Sequence, residues 1–262
     1  MLFTLRQRRW RSPVFTFRMG ATMIKKLRHK GFHTYVKDGD RKFIEIFDDI
    51  LTCNLKSISV TKVFKSESHT HVSLLNTQHG PYVMKIYAPG TKLIERFIKS
   101  LFTASYNVNL IKKIDYARNC GFHFPNDFFL LAERRFINFA KVSIMLFEYI
   151  PGKELSKLPV ITRDMKNELK TAVQKMHELE IISGDAHKDN FIMSDEGIRI
   201  IDLCGKPYNK KRAVEDNLTM NLRIGVPFEA TGIWQKVIVA KKMRRDNKLK
   251  VRKGNPEINQ VA

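Results

Sequence analysis

The stretch that most constrains this chain is 183–205. It reads Ser-Gly-Asp-Ala-His-Lys-Asp-Asn-Phe, a short apolar run, an Asp-Glu-Gly turn, and Ile-Arg-Ile-Ile-Asp-Leu-Cys-Gly. The first part, rich in Gly, Asp and Asn, is a loop, and the two apolar runs around the turn form a β-hairpin. Loop and hairpin together gather Asp185, Asn190 and Asp202. Two carboxylates and one amide can hold a hard divalent cation with few protein oxygens and still leave a carboxylate to take a proton. Each residue alone has an ordinary explanation, as an Asp in a turn or an Asn at a strand entry. Their order and spacing, between an amphipathic helix and a hairpin, favour a site.

Asp185 and Asn190 stand five apart, the spacing of the base and the metal-binding amide in a protein-kinase catalytic loop, and Asp202-Leu203-Cys204-Gly205 resembles the metal-binding Asp-Phe-Gly segment. On this reading Asp185 accepts the proton of an attacking hydroxyl, and Asn190 and Asp202 hold Mg²⁺. Lys85 lies inside the apolar run Tyr82-Val83-Met84-Lys85-Ile86-Tyr87. A buried lysine is costly unless it meets an anion, and kinases keep the lysine that binds the ATP phosphates on such a strand. The bland alternative is a lysine on the solvated face of an alternating strand.

The rest of the chain reads as elements around these residues. Phe43, Ile46, Phe47, Ile50 and Leu51 mark one face of a helix over 41–53. Strands follow at 57–64, 71–77 and 82–87, the last two joined by Gln78-His79-Gly80-Pro81. The loop 65–70 has no glycine, so a phosphate cover there relies on backbone N–H groups and Ser66, Ser68 and Thr70. A helical pattern over 92–119 breaks near Tyr106 and offers two partners for Lys85, Glu95 and Asn109. Strands at 127–133 and 142–148 complete a five-stranded sheet. Glu148-Tyr149-Ile150-Pro151-Gly152 then reads as a hinge whose backbone binds adenine. Helices are expected over 162–180, 208–223 and 233–252, with His177 packed or exposed rather than catalytic. The predicted fold is therefore α+β, two-lobed and protein-kinase-like: a small antiparallel-sheet lobe over 23–150 and a mostly helical lobe over 151–262.

Charge narrows the partners. Of a formal net charge of +21, residues 1–30 and 206–262 carry +9 each. Such ends favour polyanions: anionic lipid, a phosphorylated substrate or nucleic acid. A nucleic-acid reading rests on charge alone, without a stacking-aromatic motif, and is not expected. Three dispersed cysteines without a Cys-x-x-Cys pair point to free thiols in a reducing compartment. No apolar run approaches the ~20 residues needed to span a bilayer, so a soluble or peripheral protein is expected. Residues 1–22 lack the apolar core of a secretory signal, and Met23 is expected to be the natural start. A native intact mass that begins at Met1 would overturn that expectation.

Longer segments carry a more specific resemblance: Tyr-Val-Met-Lys-Ile-Tyr-Ala-Pro from Tyr82, Gly-Phe-His-Phe-Pro-Asn-Asp-Phe from Gly121, Leu-Ala-Glu-Arg from Leu131, Met-Leu-Phe-Glu-Tyr from Met145, and Ser-Gly-Asp-Ala-His-Lys-Asp-Asn-Phe-Ile from Ser183. In these the chain resembles the bacterial lipopolysaccharide core heptose(II) kinases from about Met23 to the last basic helix. The resemblance implies an ATP- and Mg²⁺-dependent phosphotransferase acting on the second heptose of a lipid-linked, anionic inner core. It implies work in the cytoplasm, at the inner face of the inner membrane and in peripheral contact with its anionic surface. It also implies roles for Asp185 as base, Lys85 with Glu148, Tyr149 and Ile150 at ATP, Asn190 and Asp202 at the metal, and His187 in orienting the loop. Ser183 and Cys204 depart from the protein-kinase pattern, and no Ala-Pro-Glu segment follows. The alternatives are a kinase-fold scaffold without strong catalysis that binds polyanions or membrane, and a small-molecule kinase of the aminoglycoside type, which needs an acidic pocket.

Overall fold

The computed structural model describes residues 23–90, 105–137 and 139–254. The leader 1–22, Glu95 and the first part of the 92–119 helical pattern lie outside the described residues.

Seven antiparallel strands form the main sheet: β1 (Ile24–His29), β2 (Phe32–Lys37), β3 (Ile58–Glu67), β4 (Thr70–Thr77), β5 (Gly80–Tyr87), β6 (Phe128–Phe136) and β7 (Phe139–Glu148). Their spatial order is β1-β2-β6-β7-β5-β4-β3. The five expected strands are present, and β1 and β2 extend the sheet on one side. Basic residues mask the alternation of β1, where Lys25, Lys26 and Arg28 are exposed. Helix α1 (Arg41–Thr52) starts at Asp40, whose carboxylate accepts from Lys42 N at 3.1 Å, and ends at Cys53 in the left-handed region.

Register sorts the sheet into two faces. Pairing sets Tyr35, Leu131, Met145 and Lys85 in one row, so these four share a face. The opposite face carries Val36, Leu130, Ala132, Ile144, Leu146 and Met84, and buries Phe43, Ile46 and Phe47 of α1 against it. The face with Lys85 meets α2 (Tyr106–Asn119), and through Ile111, Ile114 and Ala117 it joins a continuous core with the second half of the chain.

That second half is helical around a small sheet. Helix α3 (Arg163–Glu178) is capped by Thr162, which accepts from Met165 N at 3.3 Å, and buries Leu169, Val173 and Met176. β8 (Lys153–Glu154), β9 (Phe191–Ser194) and β10 (Gly197–Ile200) make a three-stranded sheet, with the β9–β10 turn at Asp195 and Glu196. Helix α4 (Lys210–Ile224) is capped by Asn209 and terminated by Gly225 at φ +78°, and α5 (Ile233–Gly254) follows. The loop with Asp185 leaves α3 and enters β9; the segment with Asp202 leaves β10.

Candidate active site

The loop and the segment after β10 are stitched side by side. Ile182 bridges Cys204, and Ile201 N donates to Asn190 O at 2.9 Å. Gly184 has φ +79° and a β-carbon there would lie 2.7 Å from Cys204 Cβ; one at Gly205 would lie 1.7 Å from Tyr106 O. Glycine is therefore demanded at both positions by close approach. Lys113 of α2 donates to Glu180 O at 3.2 Å and Lys206 O at 2.9 Å, carbonyls at the two ends of this unit, and burial lowers its pKa.

Around Asp185 the contacts are short and directional. Asn190 Nδ2 donates to Asp185 O at 2.8 Å, which leaves its Oδ1 as the amide atom suited to a cation. His187 lies between two carboxylates, its Nε2 3.2 Å from Asp185 Oδ2 and its Nδ1 3.1 Å from Asp189 Oδ2. Asp185 itself stays exposed, with 69% of its side chain open to solvent. A base there can meet an incoming hydroxyl without rearrangement.

Lys85 reaches across from β5 and pairs with Asp202. It therefore pairs with Asp202 rather than with Asn109, because the register points it at the segment after β10. Asp202 has φ +56°, a conformation non-glycine residues rarely take and one often found at functional sites. Among the described residues no group of three or more His, Cys, Asp or Glu forms a metal cluster. The donor set of one amide oxygen and one carboxylate suits Mg²⁺, which takes most of its ligands from water and phosphate.

The side chain of Glu148 is engaged elsewhere. Its Oε2 accepts from Arg118 at 2.6 Å, Arg199 at 2.7 Å and Asp127 N at 2.8 Å. Its backbone N–H donates to Asp127 O at 2.9 Å, and of the next two residues Ile150 is buried and Tyr149 partly so. His177 is packed, its Nε2 3.4 Å from Asp216.

Asp216 escapes sequence reasoning. It is buried on α4 and accepts from Ser183 N at 2.7 Å and Gly184 N at 2.9 Å, so it hangs the loop from the helix. A carboxylate on the apolar row of Ala213 and Met220 is the signal that could have exposed it. Arg199, a charge inside the apolar β10, carries the same signal. So does Glu133, buried on β6 and held by Ser105, Asn107 and Arg135. A cavity of about 700 Å³ opens beside Asp185, between the loop and helices α4 and α5.

An exposed carboxylate lining a cavity, an amide bonded to its backbone and a lysine–aspartate pair on the adjoining segment are residue types that group transfer to or from phosphate employs. The family model for the lipopolysaccharide core biosynthesis protein WaaY matches residues 23–255, and the chain belongs to this family. Two curated relatives are similar along nearly their whole length. A lipopolysaccharide core heptose(II) kinase WaaY of Escherichia coli is 44% identical over 224 residues, 85% of this chain and 96% of the relative. Its counterpart in Escherichia coli strain K12, under the same name, is 34% identical over 234 residues, 89% of this chain and 99% of the relative.

Proposed function

We propose that this protein is an ATP-dependent kinase that phosphorylates a hydroxyl of the second heptose of the lipopolysaccharide inner core. The observation that carries the reading is the convergence of Lys85 and Asp202, 117 residues apart, behind a loop in which Asn190 and His187 bracket Asp185. The relatives' name supplies the acceptor.

The chain is read as two-lobed and protein-kinase-like, with the sheet lobe at 23–150, the helical lobe at 151–262 and the backbone of Glu148, Tyr149 and Ile150 as the adenine-binding hinge between them. Asp185 takes the proton from the acceptor hydroxyl. His187 orients the loop by standing between the carboxylates of Asp185 and Asp189. Lys85 is a phosphate ligand that exchanges Asp202 for the nucleotide's oxygens. Asn190 and Asp202 would hold Mg²⁺, which when bound neutralises phosphate charge and orients the transferred group.

Work at the inner membrane surface fits the outer side of α5. There Ile233 and Trp234 are 82% and 81% exposed, beside exposed Lys236, Lys241 and Arg244. Among the described residues no helix is long and apolar enough to cross a membrane.

The test is incubation with labelled ATP and core lipopolysaccharide that lacks phosphate on its second heptose, followed by location of the label. Label on the second heptose is expected. Label confined to another sugar, or none, would refute the proposal.

A further inference from the structure

Two carboxylates are buried among the described residues: Asp216, which suspends the loop, and Glu133, which no step of the proposed reaction uses. Glu133 is enclosed but well supplied with donors. Its Oε1 accepts from Ser105 Oγ at 2.7 Å, Asn107 Nδ2 at 3.0 Å and Ser143 Oγ at 3.3 Å. Its Oε2 accepts from Arg135 Nε at 2.7 Å and from a second nitrogen of the same guanidinium. Asn107 Nδ2 also donates to Ser143 Oγ at 3.0 Å, and Arg135 lies over the ring of Tyr35, 5.5 Å from its centroid.

Register puts this cluster on the sheet face that carries Lys85. Glu133 pairs with Ser143 and Lys85 pairs with Met145, and Ser143 and Met145 stand two apart on β7. From that face Glu133 meets the start of α2. Ser105 is the N-cap of α2, yet its side chain makes no bond to the helix's own N–H groups, and the first turn of α2 has no acid. Glu133 thus takes the cap's hydroxyl and supplies the negative charge that a helix start favours. Tyr106 stands between the two tied residues, and its carbonyl oxygen abuts Gly205, where a β-carbon would lie 1.7 Å from it. Gly205 closes the segment that begins at Asp202. Further along α2, Lys113 holds Lys206 O just beyond. A line of contacts therefore runs from Glu133 through the start of α2 to the segment of Asp202.

Burying a carboxylate with a guanidinium costs desolvation, and apolar side chains of similar volume would join helix and sheet at least as well. What the cluster adds is direction, because hydrogen bonds fix one placement of α2 where apolar packing tolerates several. We infer that Glu133 is a positioning residue for Asp202: it pins the start of α2 to the sheet face of Lys85, and α2 sets where Asp202 stands relative to that lysine. The inference rests on the kinase reading above and deepens it by naming what aligns the proposed metal ligand with the proposed phosphate ligand. Lys85 is built on the sheet itself, so loosening α2 leaves the lysine in place and displaces Asp202.

The experiment titrates the full chain with ATP by calorimetry, once with Mg²⁺ and once with EDTA. Glu133→Gln would leave Arg135 half paired and risks the fold, so the variant to read is Ser105→Ala/Asn107→Ala. It cuts the helix side of the cluster and leaves Glu133 with Arg135 and Ser143. With Mg²⁺ this variant is expected to bind ATP about 10-fold more weakly than wild type, the scale on which groups behind metal ligands act. With EDTA it should bind ATP as wild type does. Ile46→Val, which trims α1 on the opposite face of the sheet, lowers stability without touching the cluster and should leave both affinities unchanged. An undiminished affinity in the double variant, an equal loss with and without Mg²⁺, or the same loss in Ile46→Val overturns the inference. Wild type separates the two readings. If its ATP affinity does not rise with Mg²⁺, the kinase reading falls and the inference with it; if wild type and the double variant gain equally from Mg²⁺, the positioning role alone falls.

Discussion

Asp185 is exposed and buries little, so asparagine at that position removes a base without opening a cavity. Asp185→Asn is expected to lower kcat by about 10²–10⁴-fold while far-UV circular dichroism and the thermal midpoint stay as in wild type. Turnover near wild type would remove Asp185 from its role. Asp202 makes a different prediction, since it pairs with Lys85 and is proposed to hold the metal. Asp202→Ala should abolish the Mg²⁺-dependent part of ATP binding in calorimetry, and unchanged Mg·ATP affinity would exclude it as a ligand. Asp216 is buried and holds the loop through the N–H groups of Ser183 and Gly184. Asp216→Ala leaves the buried N–H of Ser183 unpaired and frees that of Gly184, a cost of about 1–3 kcal/mol in urea unfolding. The same variant should lower kcat more than it raises the KM for ATP. At this scale the sequence was informative where a short loop sets the contact, as between Asn190 and Asp185, five residues apart. It was silent on Asp216, because an anchor that acts through backbone N–H groups has no spacing rule that links it to its target.

Elements meet through a few charged ties. Glu148 at the end of β7 gathers Arg118 from α2, Arg199 from β10 and the backbone of Asp127, so one carboxylate joins the main sheet, a helix and the small sheet. Arg118 and Arg199 keep only 11% and 7% of their side chains exposed. Glu148→Ala therefore strands two largely buried guanidinium groups, and a loss of about 3 kcal/mol in denaturant unfolding is expected. A loss below ~1 kcal/mol would mean that solvent already screens the pair. Element existence was legible from periodicity: the α1 stripe, the β4–β5 turn and the α3 stripe all stand where the pattern put them. β1 and β2 were not read, because Lys25, Lys26 and Arg28 break the apolar alternation of β1, and β2 buries Thr34 with Tyr35 and Val36 rather than alternating.

For the molecule as a whole, charge and shape act together. The outer side of α5 presents Trp234 and Ile233 beside lysines and arginine, an arrangement suited to the headgroup region of an anionic bilayer. The protein is expected to sediment with phosphatidylglycerol vesicles and not with phosphatidylcholine vesicles, and to be released as salt rises from about 0.1 to 0.5 M. Trp234→Ser should weaken that binding. Equal binding to both vesicle types would show that charge does not direct it. Sequence alone determined the Asp- and Asn-bearing loop between a helix and a hairpin, the lysine on its strand and the basic balance of the ends, because each depends on residue type and local order. Only the tertiary structure decided that Lys85 meets Asp202, that Glu148 is a tie, that Asp216 suspends the loop and that a cavity opens beside Asp185. Those are contacts between segments tens of residues apart, set by sheet register and helix packing rather than by any local pattern.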